Sequence, residues 1–347
     1  MFRNIKTGAV LATGLALAWA APAPAGAAEL GDYYKGRTVT ILIGYGFGGT
    51  YGKYARLMSK YYAKFIPGNP NIIVQSMPGA GGIKVSNYAF QVMPKRGFHL
   101  IEPPDPLVVS QLLRPKKVKY NAPEFTWLGG TNQTNTIFVL RRDAGITKWQ
   151  DMRTKQVISG NTGPGSSSYM VPRLMNVMLG LKIKPISGYK GSRKTVLAME
   201  QNEHQGTGFN WLAWNSIVPH WFEKGREFAI PLMQLGHFKD PDLPNVPMLG
   251  DVVADKYKPI VAFMATHGLI GRGLALPPGA PKKLVAPLRA AFAKMVKDPV
   301  YIAEAKKRRL RVMASTGEEI QKMVNDVFKM TDPKTIAAAR EMIFGKK

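Results

Sequence analysis

Twice near its start the chain runs from a short β-branched segment through a glycine-rich turn into an amphipathic stretch, and this order restricts the fold more than any other feature. Residues 38–43 (Thr-Val-Thr-Ile-Leu-Ile) read as a buried strand, Gly44 to Gly49 as a tight loop, and residues 51–65 as a helix stopped near Pro67 and Gly68. Residues 71–76 form the second strand, residues 77–82 (Met-Pro-Gly-Ala-Gly-Gly) its loop, and residues 83–92 its helix. Parallel strands need a crossover, and a helix packed on the sheet is the usual one, so the pattern predicts an α/β architecture.

The logic continues along the chain. Residues 98–101 read as a third strand, and residues 136–141 as a strand entering a second lobe. There residues 155–159, 160–165 and 168–179 repeat strand, loop and helix, followed by a strand at 183–187, a turn at 189–191, a helix at 192–203 and a strand at 228–235. The proline-rich stretch 239–247 is expected to be a surface loop. Residues 268–276 look like a return strand, and the helices expected at 282–297, 299–309 and 318–330 should pack back on the first lobe. The predicted organisation is a leader at 1–28, one lobe from 29–138 plus 265–347, and a second from 139–264.

The leader is read from Arg3 and Lys6, an apolar or small run over residues 7–20, and Ala25-Gly26-Ala27-Ala28, which predicts export with cleavage near Ala27 or Ala28. The run is shorter than the roughly 20 residues a membrane span needs. With the leader's two cations removed, the formal charge falls from +26 to +24, a field that draws anions. Nucleic acid is not the expected partner, because export argues against it and no basic and aromatic motif at fixed spacing appears. The run 306–311 (Lys-Lys-Arg-Arg-Leu-Arg) reads as a solvated helix end. There is no cysteine, and the five histidines have no metal-ligand spacing, so neither a metal nor a cofactor is expected.

Gly44-Tyr45-Gly46-Phe47-Gly48-Gly49 satisfies G-x-G-x-x-G between strand and helix, yet the acid that would take the ribose hydroxyls is missing, for the next one is Glu102. What remains is an anion-friendly helix start: free amides, a positive dipole end, and glycines that admit close approach. Residues 78–82, 162–168 and 190–192 offer the same device, two starts per lobe. Ser166, Ser167 and Ser168 lie outside a nucleophile-elbow motif and read as capping or ligand-binding hydroxyls, although a secreted hydrolase using them stays an alternative. Of the aromatics near these loops, Tyr45, Phe47, Tyr51, Tyr169, Tyr189, Trp211 and Trp214, about half should be core and the others pocket.

Taken in order, Gly48-Gly49-Thr50 with Tyr54-Ala55-Arg56, the 77–82 loop, residues 165–168, Gly188-Tyr189-Lys190-Gly191, Asp242-Leu243-Pro244-Asn245-Val246-Pro247 and Leu276-Pro277-Pro278-Gly279-Ala280-Pro281 resemble the substrate-binding proteins of tripartite tricarboxylate transporters, the Bug receptors. The resemblance covers nearly the whole chain after the leader, with the insertion at 66–70 pointing to a less characterised branch. It implies a type II periplasmic-binding-protein fold, two α/β lobes joined by two crossing strands. It also implies no catalysis, a periplasmic location, a small organic carboxylate as ligand and integral-membrane transporter subunits as partners. Carried over by position, the ligand-binding residues would be Phe47, Gly48, Gly49, Thr50, Tyr51, Ala80, Gly81, Ser166, Ser167, Ser168, Tyr189, Lys190, Gly191 and Ser192, to which Tyr45, from the aromatics near the loops, and Asn210 are added as candidates. Two acids common in the family are replaced, by Gly52 and in the neighbourhood of Asn210, which shifts the expected ligand from amino acids to di- or tricarboxylates or aromatic carboxylates. A sensory receptor of the same fold that serves no transporter is the remaining alternative.

Overall fold

A computed structural model gives the fold of residues 25–345. All but the last four residues of the expected leader lie outside the described residues, and helix α1 (Ala25–Tyr34) runs through the expected cleavage positions. The first repeat forms as its sequence demands: β1 (Thr38–Ile43) is buried along all but its first residue, and α2 (Thr50–Tyr62) follows the glycine loop. Then come β2 (Asn71–Ser76), α3 (Ile83–Gln91), β3 (His99–Glu102), α4 (Leu107–Leu113) and β4 (Thr126–Gly130). Of these, α4 and β4 have no counterpart in the expected pattern.

The second half carries β5 (Thr136–Arg141), β6 (Val157–Asn161), α5 (Ser167–Leu179), β7 (Ile183–Ser187), α6 (Ser192–Glu200), β8 (Gly206–Asn210), α7 (Trp211–Ile217), β9 (Ala229–Leu235), α8 (Leu249–Val252) and α9 (Lys258–Ala265). The chain returns through β10 (Gly273–Leu276) and ends in α10 (Val285–Lys297), α11 (Pro299–Lys307), the short β11 (Ser315–Thr316), α12 (Gly317–Met330) and α13 (Pro333–Phe344).

The strands form two sheets, ordered β11-β4-β10-β3-β1-β2 and β7-β6-β8-β5-β9. Each sheet has a first strand flanked by its second and third in parallel, β1 by β2 and β3, and β6 by β7 and β8. Each then accepts one antiparallel strand contributed by the crossing chain: β10 beside β3 in one sheet, β5 beside β8 in the other. The chain therefore passes between the lobes twice, through the segment linking β4 to β5 and again before β10. Backbone bonds tie the two passages together, Thr131 N–H to the Arg272 carbonyl at 2.8 Å and Thr134 N–H to the Gly268 carbonyl at 3.2 Å. This is the type II periplasmic-binding-protein fold.

One core joins β1 to α2, α10 and α11, with Ile41, Leu57 and Phe292 buried, and a second fills the opposite face of that sheet around Trp127 and Ile320. Two more sandwich the second sheet. Helix α13 does not pack on the first sheet with its neighbours: Ala339 and Ile343 are buried in the core of the second, against α5 and α9, while Arg340 donates to the Leu112 and Leu113 carbonyls of α4. Residues 239–247 are docked rather than a free surface loop. Asp240 is fully buried, and the Gln234 amide donates to the Leu243 and Val246 carbonyls at 2.8 and 3.0 Å. Arg311, expected to be solvated, pairs with Asp240 and Asp242 at 2.7–3.1 Å, while Lys306, Lys307, Arg308 and Arg309 are exposed.

Candidate functional site

The carboxyl ends of β1, β3, β6 and β8 face one another across the gap between the sheets, the place where α/β folds bind ligands. A cavity of about 40 Å³ lies there, lined by Tyr45, Gly49, Thr50, Tyr51, Asp105, Pro106, Thr162, Ser166, Ser167, Ser168, Ser192, Phe209, Asn210, Ala213 and Arg272. That volume is room for on the order of a few water molecules. The cleft is therefore closed. Lobe meets lobe through bonds such as Gly46 N–H to the Lys190 carbonyl at 3.0 Å and Ser110 Oγ to the Gly165 carbonyl at 3.1 Å.

Three helices of nine or more residues begin at this cavity with no side chain capping their first-turn amides, α2 after Gly49, α5 after Ser166 and α6 after Gly191, and the short α4 after Pro106 is uncapped there as well. Of the helices that start elsewhere, α11, α12 and α13 are capped by Asp298, Thr316 and Asp332, while α3, α8, α9 and α10 are not, so what sets the cavity apart is the convergence of uncapped starts and not the lack of caps alone. An uncapped start keeps amides and the positive dipole end available to an anion. Glycine at two of these N-caps offers no capping side chain, and the lobes approach closely there: a Cβ on Gly49 would lie 2.6 Å from Ser192 Oγ. The short α7, which also starts at the cavity, is capped, Asn210 Oδ1 accepting from Ala213 N–H at 2.9 Å.

The floor of the cavity carries charges that the motif reading missed. Arg272, fully buried just before β10, forms an ion pair with Asp105, donates to Thr50 Oγ1 at 3.2 Å and lies over the Tyr51 ring at 3.7 Å. Burial works against the guanidinium charge, but the paired Asp105 carboxylate, the largest opposing influence, holds the pKa above the usual arginine value. Asp105 also accepts from Asn210 Nδ2 at 3.2 Å, a bond that crosses from one sheet to the other, and its N–H donates to the Tyr51 hydroxyl at 2.7 Å. Glu102, at the end of β3, is fully buried, and neither carboxylate oxygen has a partner among the described residues. Burial lifts its pKa well above the carboxylate range, Arg272 opposing and Asp105 reinforcing the shift, which favours the neutral acid.

Of the residues expected at the site, Tyr45, Gly49, Thr50, Tyr51, Ser166, Ser167, Ser168, Ser192 and Asn210 meet at this cavity. Ala80, Gly81 and Tyr189 line a neighbouring gap between the lobes, where Tyr189 donates to Glu203 at 2.9 Å. Gly191 packs against Gly46, and Gly48 against the Arg193 side chain. Phe47 points outward, 44% exposed, beneath Arg56. Trp211, Trp214 and Tyr169 belong to cores rather than to the cavity. Ser166 Oγ donates to the Gly163 carbonyl at 2.7 Å and meets Ser168 Oγ at 2.8 Å, which is loop-closing geometry and not that of a nucleophile held by a base. Among the described residues no cluster suited to a metal ion occurs.

The structure explains Gly52. A Cβ there would lie 2.2 Å from the Phe47 carbonyl oxygen, so the folded loop leaves no space for an aspartate. Yet the cleft is not free of acids, because Asp105 enters it from the loop after β3.

No family model matches the chain, and no curated protein matches it. Solved structures share its fold. Rpa4515 of R. palustris with adipate superimposes with a TM-score of 0.65 at 17% identity over 88% of this chain and 97% of that one. The periplasmic binding protein BugD gives 0.68 at 15% over 89% and 98%. MatC (Rpa3494) from Rhodopseudomonas palustris with bound malate gives 0.65 at 18% over 88% and 99%. At these identities the likeness is one of fold: this chain has the architecture of the bilobed solute-binding proteins.

Proposed function

We propose that the chain is an exported solute receptor whose two lobes close on a small organic carboxylate and present it to integral-membrane transporter subunits. The observation that carries this reading is the convergence of three uncapped helix starts, from both lobes, on one closed cavity. Such starts bind anions through backbone amides without an added cation. The receptors with adipate and malate that share the fold support a carboxylate, and their periplasmic relatives support export. We assign residues 29–138 and 265–332 to one lobe and 139–264 to the other, with α13 docked on the second.

The ligand works by differential affinity: it shifts the molecule to the closed form by as much as it binds that form more tightly than the open one. Purified protein screened by thermal shift against carboxylates should show melting temperatures that rise with ligand concentration. A response to uncharged solutes with none to any carboxylate overturns the reading.

A further inference from the structure

We infer that Asp105 determines which carboxylates the cleft accepts, selecting a short monocarboxylate that carries a hydrogen-bond donor, hydroxyl or ammonium, beside its carboxylate. This rests on the receptor reading above and narrows it.

Arg272 and Asp105 are the one cation and the one anion among the residues lining the cavity, and they are paired with each other. The buried guanidinium is thus already neutralised, and it is not the group that attracts the ligand. The ligand's carboxylate is left to the uncapped starts of α2, α5 and α6. Asp105 takes one side-chain bond on each oxygen, from Arg272 and from Asn210, whereas a carboxylate can accept about four. Its spare lone pairs border the cavity, where a ligand hydroxyl or ammonium would satisfy them.

A second ligand carboxylate brought to the same floor would face the buried Asp105 carboxylate, where like charges repel more strongly than in open water. The small cavity acts in the same direction: at about 40 Å³ it must widen to admit a ligand, and it must widen less for a three-carbon acid than for a longer diacid.

Calorimetric titration with lactate, alanine, propionate and succinate tests this on the wild-type protein and on Asp105→Asn. The wild type should bind lactate or alanine at least tenfold more tightly than propionate, with succinate weakest, and the better of the first two tells hydroxyl from ammonium. In Asp105→Asn the donor's advantage should shrink at least tenfold and succinate should gain. Should that variant fail to fold with Arg272 unpaired, the wild-type ranking decides alone, and Asp105→Asn combined with Arg272→Gln repeats the comparison in a neutral floor. Propionate or succinate binding as tightly as lactate and alanine overturns the inference while leaving the receptor reading intact. Binding of none of the four overturns the inference, and the broader thermal-shift panel then decides whether the carboxylate reading falls with it.

Discussion

Arg272 illustrates how a buried charge is tolerated: an ion pair with Asp105, a bond to Thr50 and the face of Tyr51 replace the water it has lost. Removing one partner strands the other. Arg272→Met should therefore lower the free energy of unfolding by about 3–5 kcal/mol, and adding Asp105→Leu should restore much of it, as a urea double-mutant cycle would show. His267, in the crossing segment before β10, is fully buried with neither ring nitrogen partnered among the described residues, and burial pulls its pKa to about 3. Unfolded, it would titrate near its ordinary value of about 6.5. As pH falls through that window the unfolded chain takes up a proton that the native state does not, so stability declines from about pH 6.5 towards 3. His267→Gln should flatten that decline, measured as the urea midpoint at pH 7 against pH 5. Neither Arg272 nor His267 carries a sequence signal beyond its identity, because what sets its role is the meeting of chain segments more than a hundred residues apart.

The elements that were legible have strong local reasons: β1, β2, β5 and β7 fall on the residues expected from their β-branched or apolar runs. Those that were missed lack such a signal. β4 ends in Gly129 and Gly130, and β8 reads Gly-Thr-Gly-Phe-Asn; at Gly129 and Gly206 the neighbours approach too closely for a side chain, a Cβ on Gly206 lying 2.8 Å from the Val139 carbonyl oxygen. Helix α4 is too short for its periodicity to stand out, and Asp105 sits at its entry, so overlooking the helix also concealed the acid. At α7 the cap and the cleft share a residue. Asn210→Ala should lose about 1 kcal/mol of stability through the cap and also the bond to Asp105. Asn210→Asp should keep the cap yet oppose closure by placing a second carboxylate against Asp105, which ligand titrations of the two variants would separate.

For the whole molecule, closure brings backbone against backbone. Gly81, in the left-handed region at φ 68°, precedes α3 in one lobe, and a Cβ on it would lie 2.4 Å from the amide nitrogen of Ser166 at the start of α5 in the other. Gly81→Ala should fold, at a cost of about 1–2 kcal/mol for the left-handed alanine, but hold the lobes apart. Ligand affinity should fall at least tenfold, and small-angle scattering should show a larger radius of gyration with ligand present. The tandem glycine loops thus forecast where the lobes would meet, but not that an Asp–Arg pair would form the floor between them.

The most direct test of the receptor account is native mass spectrometry of protein purified without denaturation and then incubated with mixed small solutes. The account predicts one added mass per molecule, matching a small organic acid and released on unfolding. An adduct of an uncharged solute or a nucleotide, or a mass that stays bare in the presence of every acid offered, would contradict it.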